Sequence, residues 1–379
     1  MKWTNKGHEF DELGSKIINL SAIYLFGAGH HGKTIYEKYK SKINIKGFID
    51  NDKNKYSKNF CGLNVCSPAH FKLLANEAII VTTGQSSFQE VTHQLSTLGH
   101  SNIFYADSFF PLLDAYKFGE LCIPSLSFLP TTLCNLKCKH CLNFTPYIKT
   151  HQIRPVKQLI SDLDLLFSKV DTLLLLHISG GEPFTHPHLS ELIQHIGLRY
   201  KDKLGRLEMT TNGTIVPSAE LLSVMYDAQV NLIVDDYRDA LPHLSDKYNK
   251  VFELLYEYKI SFRVQKAEKW INLSPFEFKQ NELEKKNLCK HFNNCAVPWQ
   301  EYRDRKLWLC NYASYAEIAG LQPTGIGEFF DLQMLTDENL LEAVEFRLGY
   351  SEKGYTEFCK RCAGYNNNPN IVNVAEQLV

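Results

Sequence analysis

Three cysteines, Cys134, Cys138 and Cys141, stand in one C-x3-C-x2-C run, and this spacing constrains the chain more than any other feature. Thiolates so close together fold as one tight loop around the corners of a metal–sulfur cube, because soft sulfur suits iron–sulfur clusters over hard cations. A [4Fe–4S] cluster normally takes four cysteine ligands. A loop that offers three either draws a fourth from elsewhere or leaves one iron open to a small molecule. Zinc is the competing occupant, with His140 as a nearby fourth ligand. Further on, a mostly apolar run over 173–178 leads into Gly180-Gly181-Glu182-Pro183. The two glycines let backbone pass close to a ligand, and Glu182 offers a carboxylate to an ammonium group.

After residue 120 strands and helices alternate. Residues 121–129 read as a strand running into the cysteine loop, and 172–179 as a strand apolar enough to be buried on both faces. Between them Val156, Leu159, Ile160, Leu163, Leu166, Phe167 and Val170 keep helical spacing. Leu189, Leu192, Ile193 and Ile196 mark another helix, and 207–211, 230–234 and 261–264 are later strands. Repeated β–α units predict a parallel sheet with its chemistry at the carboxyl ends of the strands. The cysteine loop, Gly180-Gly181-Glu182 and Thr211-Asn212-Gly213 all fall there.

A C-x3-C-x2-C loop after the first strand and a Gly-Gly-Glu motif after the second resemble the radical S-adenosylmethionine superfamily. The resemblance implies an α/β chain whose residues 113–280 form a partial (β/α)6 barrel. It implies a [4Fe–4S] cluster on Cys134, Cys138 and Cys141, with S-adenosylmethionine chelated to the fourth iron. Reductive cleavage would then give a 5′-deoxyadenosyl radical that abstracts hydrogen from a substrate, with flavodoxin or ferredoxin as electron donor. By the same resemblance Gly180, Gly181 and Glu182 take the methionine amino group, and His140 stands where the family has an aromatic packing on adenine. Asn212 belongs to the third strand ending, and Asp235 or Asp236 reaches a ribose hydroxyl.

Residues 1–112 read as a separate unit. Ile23-Tyr24-Leu25-Phe26 runs straight into Gly27-Ala28-Gly29-His30-His31-Gly32-Lys33, a helix follows to Tyr39, and a second strand ends at Asp50. Gly27, Gly29 and Gly32 with Asp50 form the dinucleotide-binding pattern, with Asp50 at the ribose-reading place and a nucleotide or NAD as the ligand. Too little chain follows for a six-stranded dinucleotide fold, so a scaffolding half-domain is the alternative. The run resembles the N-terminal Rossmann-like domain of bacterial sugar acyltransferases and related nucleotide-sugar enzymes. Residues 107–119 show no clear period and read as a linker.

Five of the eleven cysteines lie in the tail, residues 281–379, as Cys289, Cys295, Cys310, Cys359 and Cys362. This small Cys-rich segment resembles the auxiliary-cluster domains of SPASM or twitch type. Five cysteines allow one further [4Fe–4S] cluster, and Cys295, Cys310, Cys359 and Cys362 make the neatest set of four. Cys289 is then an alternative ligand or a free thiol for hydrogen transfer, and a structural zinc is the competing reading. Cys61, Cys66 and Cys122 read as small core residues.

A net charge of −1 and a pI near 6.9 give no reason to expect a nucleic-acid partner. No signal peptide or membrane span is evident, and so many unpaired cysteines suit a reducing cytoplasm. The front unit turns the expected substrate toward a carbohydrate or nucleotide-linked sugar, as in surface-glycan synthesis. Modification of a peptide or small natural product is the alternative, and an electron carrier without catalysis is the rival from another class.

Overall fold

The computed structural model describes residues 1–277, 285–295, 300–365 and 368–378. Short apolar strands alternate with helices from the start. They are β1 (Ala22–Phe26), α1 (His30–Tyr39), β2 (Ile45–Ile49), β3 (Leu63–Cys66), β4 (Glu77–Val81), α2 (Gln85–Thr97) and β5 (Ile103–Tyr105). They build a six-stranded sheet in the order β3-β2-β1-β4-β5, with a two-residue antiparallel piece, Asn59–Phe60, outside β3. All other pairings are parallel. In such a doubly wound order the chain reverses direction between β1 and β4, where a crevice opens at the carboxyl ends of the strands. Gly32 is required there because a Cβ would lie 2.1 Å from the Gly27 carbonyl oxygen, so only glycine lets α1 rest on the loop before it.

The segment expected to be a linker is instead a helix, α3 (Ala106–Leu113), continued by a π-helical turn, Asp114–Phe118. Phe109, Phe110, Leu112 and Leu113 are each at most 2% exposed. A helix buried everywhere but at Asp107 and Ser108 has almost no polar face, which is why no period shows in the sequence. Below it the Tyr39 hydroxyl donates to Asp114 Oδ2 at 2.8 Å and lies 3.2 Å from Cys122 Sγ. The joint between the front unit and the rest of the chain is therefore packed. Gly205, near the start of the strand Leu204–Thr211, is approached by Thr34 of α1, whose methyl would sit 2.6 Å from a Cβ.

The second sheet holds four β–α units in sequence and a fifth strand. They use β6 (Leu126–Phe128), α4 (Val156–Lys169), β7 (Thr172–Ile178), α5 (Leu189–Arg199), β8 (Leu204–Thr211), α6 (Ala219–Asp227), β9 (Asn231–Asp235), α7 (Ser245–Glu257) and β10 (Ser261–Gln265). Neighbouring strands are parallel throughout. Every residue of β7 except His177 is buried, as a strand covered on both faces must be. β10 is mostly exposed and ends the sheet. The chain then leaves as β11 (Lys269–Ile271).

Two expectations need correcting here. A (β/α)6 progression would place the sixth parallel strand beyond β10. The sixth, β12 (Gln300–Arg303), instead pairs with β6 at the other edge, Glu301 opposite Ser127. It is followed by two antiparallel strands, β13 (Lys306–Trp308) and β14 (Phe329–Asp331), with α9 (Asn311–Ile318) between them. A boundary at 280/281 therefore does not separate a tail domain from the second sheet, because residues 300–331 complete that sheet. α8 (Lys285–Asn294) precedes these strands and α10 (Leu340–Arg347) follows them. Last comes β15 (Ile371–Asn373), antiparallel to β11.

Successive side chains along each strand of the second sheet point to opposite faces. Ser127, His177, Thr210, Asp235 and Gln265 line one cavity at the carboxyl end, while Leu175 and Arg206 line a second at the amino end. Among the described residues no helix is long and apolar enough to cross a membrane.

Candidate active site

The carboxyl-end cavity has a volume of about 420 Å³, and Cys134, Cys138 and Cys141 all stand on its wall with Gly180, Gly181, Glu182, Asn212 and Asp235. The cysteine loop is held by local contacts to its sulfurs and by residues 376–378. The Leu136 amide donates to Cys134 Sγ at 3.4 Å, and the Cys141 thiol donates to Thr145 Oγ1 at 3.7 Å. Residues 376–378 run alongside the loop. The Lys139 amide donates to the Glu376 carbonyl at 2.7 Å and the Leu378 amide to that of Lys137 at 2.8 Å. Gln377 grips it twice, taking the Lys137 amide at 2.8 Å and donating from Nε2 to Cys138 Sγ at 3.2 Å. No spacing rule links Gln377 to a loop so distant in sequence.

Gly180 and Gly181 are glycines for a stated reason. A Cβ on Gly181 would lie 2.2 Å from the Leu133 carbonyl oxygen, and one on Gly180 2.6 Å from that of Thr131. Gly180 also has φ +158°, at the margin of what other residues adopt. The strand end thus lies directly against the backbone that feeds Cys134. Glu182 is fully inside, and its carboxylate is already engaged. It accepts from the Asn212 amide at 2.7 Å, from Thr211 Oγ1 at 2.8 Å and from the Phe184 amide at 3.1 Å. Burial pushes its pKa up to about 7 against those three donors. It ties the Gly-Gly-Glu turn to the end of β8 while standing on the cavity wall.

Asn212 in turn donates from Nδ2 to Asn135 Oδ1 at 2.9 Å, inside the cysteine loop. Of the two neighbouring acids at the end of β9, Asp235 lines the cavity and Asp236 does not. Asp236 is held by the Arg238 guanidinium at 2.8 and 2.9 Å. Burial raises Asp235 to about 6, with the Tyr237 hydroxyl donating to its Oδ2 at 2.9 Å. His140 is absent from the cavity wall. Trp270, against Tyr237 with ring centroids 5.5 Å apart, supplies an aromatic on that wall instead.

The donor chemistry fits an iron–sulfur group. Burial pushes Cys134 up to about 12 and Cys138 up to about 11, so these thiols ionise only against a cation. Three such sulfurs on one cavity, with an asparagine and an acid beside them, suit a cluster and a small polar ligand. Among the described residues no three His, Cys, Asp or Glu side chains converge as tightly as a single metal ion requires.

Sequence reasoning missed the cavity floor. Ser127 Oγ, Ser179 Oγ and the Tyr315 hydroxyl form a triangle of hydrogen bonds at 2.8, 2.8 and 3.1 Å. His177 Nε2 meets Thr210 Oγ1 at 2.8 Å, and burial lowers its pKa to about 4, so the ring is neutral near pH 7. Glu301, opposite Ser127 but not on the cavity wall, is fully buried, and burial raises it to about 7. Inward position on alternate strand residues was the available signal, but it requires knowing which face lines the cavity.

In the tail, Cys295, Cys310, Cys359 and Cys362 are close enough that each of the last three is raised by its thiol neighbours as well as by burial. Thr356 Oγ1 lies 3.4 Å from Cys359 Sγ, and the Gly364 amide donates to Cys362 Sγ at 3.4 Å. Cys289 points elsewhere. Its thiol donates to the Lys353 carbonyl at 3.2 Å, and it is not on the cavity wall, which removes it as a hydrogen donor to a ligand there.

At the front unit Asp50 does not present a free carboxylate. Oδ2 accepts from the Ala28 amide at 2.8 Å and pairs with Lys55 Nζ at 2.9 Å, while Oδ1 accepts from the Asp52 amide at 2.8 Å. It stitches the Gly27–Gly29 turn to β2, where a ribose-reading acid would be open. A Cβ on Gly29 would meet nothing within 4 Å, so only Gly27 and Gly32 are demanded by packing.

Residues 128–262 match the family described as the Radical SAM superfamily, and residues 19–103 match the family described as C2185-like, N-terminal. The middle of the chain is thus a radical SAM domain, an enzymatic class whose cofactors are a [4Fe–4S] cluster and S-adenosylmethionine. Among curated proteins the chain is similar to the antilisterial bacteriocin subtilosin biosynthesis protein AlbA of Bacillus subtilis (strain 168). Identity is 34% over 95 residues, covering 24% of this chain and 19% of that protein. It is also similar to the putative protein YfkA of the same organism, at 23% over 159 residues, covering 37% of this chain and 41% of that one. The matches therefore span less than half the length of either relative. Among solved structures, BtrN in complex with AdoMet and 2-DOIA overlaps 67% of this chain and 98% of its own, at 14% identity and a TM-score of 0.41.

Proposed function

We propose that the chain is a radical S-adenosylmethionine enzyme that removes a hydrogen atom from a small hydroxylated substrate, a carbohydrate or nucleotide-linked sugar of the kind used in surface-glycan synthesis. The observation that carries this reading is the single cavity wall shared by Cys134, Cys138, Cys141, Gly180, Gly181 and Asn212. Cys134, Cys138 and Cys141 would hold the cluster, which with S-adenosylmethionine supplies a 5′-deoxyadenosyl radical when reduced. The remaining tasks fall to the chain's own groups. Gly180 and Gly181 keep the second strand end against the loop, and Glu182 fixes the third strand end to it. Asn212 and Asp235 offer a donor and an acceptor to the ribose and amino-acid parts of the cofactor. Trp270 and Tyr237 close the far wall against water.

The polar floor of Ser127, Ser179, Tyr315, His177 and Thr210 supports a hydroxyl-rich substrate. Each is a short donor or acceptor able to meet a sugar hydroxyl, with stacked Tyr312 and Tyr365 beside them at 6.0 Å between ring centroids. The likeness to a bacteriocin biosynthesis protein favours a second reading, modification of a peptide. The four tail cysteines would hold an auxiliary [4Fe–4S] cluster, and a flavodoxin or ferredoxin would supply electrons in the cytoplasm. Anaerobic protein incubated with S-adenosylmethionine, dithionite and candidate substrates tests this. Release of 5′-deoxyadenosine stimulated by nucleotide-sugars supports the carbohydrate reading. Stimulation by peptides alone transfers support to the second, and no release under any reductant removes both.

A further inference from the structure

Behind the floor of the cysteine-lined cavity lies a fully buried acid with no part in holding the cluster loop. Glu301 on β12 stands in register with Ser127 on β6, so the two side chains leave the same face of the sheet with their backbones about 5 Å apart. α9 packs on β12 and brings Asn311, Ser314 and Tyr315 to the same place. We propose that Glu301 receives, by way of Tyr315 and a bridging water, the proton of a substrate hydroxyl seated on that floor. This rests on the radical S-adenosylmethionine function and the hydroxylated substrate put forward above.

The first support is that Glu301 is unpaired. Among the described residues neither of its carboxyl oxygens has a hydrogen-bond partner, and Ser314 Oγ, Asn311 Oδ1, Trp308 Nε1 and Arg303 Nε are also buried without one. Trp308 stands opposite Glu301 across β12 and β13. Two guanidinium groups act on the acid, Arg303 from its own strand and Arg154 from before α4, with Asp304 opposing them. Both are held by other acids. Arg303 Nη2 donates to Glu317 Oε2 at 2.8 Å, and Arg154 Nη2 donates to Asp162 Oδ2 at 2.6 Å and Asp304 Oδ1 at 3.1 Å. A buried carboxylate without a cation of its own is costly, which suits a group that takes up and returns a proton.

The second support is its link to the floor. The Tyr315 hydroxyl meets Ser127 Oγ at 2.8 Å and Ser179 Oγ at 3.1 Å. All three line the cavity, and Glu301 does not. The Glu301 charge reaches Tyr315, and Ser314 acts on Glu301. The unpartnered atoms of Ser314, Asn311 and Glu301 give a buried water its partners. A hydroxyl both donates and accepts, so such a chain passes protons. An alcohol yields its proton only as its carbon is activated, and an acceptor near pH 7 then suits the task. The substrate hydroxyl gives its proton to the floor, each member passes one on, and the last goes to a Glu301 oxygen. The floor keeps its own number of protons, the negative charge moves to the substrate oxygen, and no electron moves. Glu301 touches no substrate and is a positioning residue.

The test is infrared difference spectroscopy of the full-length, anaerobically prepared protein, titrated from about pH 5 to about pH 9. Glu182, Asp114 and Asp235 are buried acids of the same range, so the Glu301 signal is the difference between wild type and Glu301→Gln. A protonated-carboxyl band that fades with a midpoint near pH 7 is expected there. Tyr315→Phe and Ser314→Ala should each move its frequency. Where Glu301→Gln does not fold, Glu301→Asp supplies the reference. No such band, or a band indifferent to both hydroxyl variants, overturns the proposal. With a nucleotide-sugar that is turned over, the wild-type rate should fall as the pH drops below 7, because protonated Glu301 accepts nothing. Glu301→Gln should lose that dependence and roughly a hundredfold in kcat, with partial recovery in Glu301→Asp. An unchanged kcat also overturns the proposal. Absence of 5′-deoxyadenosine from the wild type with dithionite removes the radical function instead, and the infrared titration still decides whether this acid is linked to the floor.

Discussion

Replacing Gly181 with alanine presses directly on the backbone that positions the cluster loop. The added methyl would stand 2.2 Å from the Leu133 carbonyl oxygen, 2.4 Å from its carbon and 2.7 Å from the Thr132 oxygen. Carbon–oxygen contacts settle at roughly 3.3 Å or more, so the two segments must part by roughly 1 Å. Two backbone hydrogen bonds cross that seam, from the Gly181 amide to Thr131 at 2.9 Å and from the Glu182 amide to Leu133 at 2.8 Å. Weakening both and overpacking the seam should destabilise the fold by about 3 to 5 kcal/mol. Cys134 follows Leu133 directly, so the shift reaches the metal site. The readouts are the urea midpoint, iron content after anaerobic reconstitution and affinity for S-adenosylmethionine, all of which should fall. Gly119→Ala is the control. It sits at φ +65° with nothing within 4 Å of a Cβ and should cost about 1 kcal/mol of backbone strain while keeping its full iron. A Gly181→Ala protein with wild-type midpoint, iron and cofactor affinity would refute the claim that this seam positions the loop.

Three further outcomes are expected. Gln377→Ala removes the amide that donates to Cys138 Sγ and frees the Lys137 amide. It should speed iron loss to a chelator severalfold and lower the reduction potential of the first cluster, because hydrogen bonds to ligating sulfur raise it. Cys289→Ser should retain the iron and the cofactor cleavage of the wild type, because that thiol is engaged with Lys353 away from the cavity. Asp114 is raised by burial to about 7 from an ordinary 3.8. The native state therefore resists its ionisation, and stability present below about pH 4 is lost as the pH climbs toward 7. Asp114→Asn keeps an acceptor for the Tyr39 hydroxyl. It should be the more stable protein above pH 7, by at most about 4 kcal/mol, and should show no advantage near pH 4 in urea titrations.

The cysteine loop, the Gly-Gly-Glu turn and the third strand ending were legible because each is local. A short run of sequence carries both the chemistry and the strand or turn that presents it. The alternating units from β6 to β10 were legible for the same reason, since apolar period survives in sequence. What escaped notice depends on pairing across long separations. β12 joins β6 rather than β10, and Gln377 reaches Cys138 from the far end of the chain. α3 hid because burial of all but Asp107 and Ser108 erases amphipathic period. Asp50 carried the right residue at the right place, but its carboxylate serves the turn itself through Ala28 and Lys55. His140 was assigned by position within the loop, and only the fold shows that Trp270 and Tyr237 form the aromatic wall.

Electron paramagnetic resonance of the reduced protein, recorded with and without S-adenosylmethionine, puts the open-iron assignment to its sharpest trial. In a variant carrying Cys295→Ala, Cys310→Ala, Cys359→Ala and Cys362→Ala, the remaining signal should be that of one [4Fe–4S] cluster, and S-adenosylmethionine should shift it. Cys134→Ala, Cys138→Ala and Cys141→Ala together should abolish that shift. A spectrum indifferent to the sulfonium compound, or zinc in place of iron on the first three cysteines, would contradict the account.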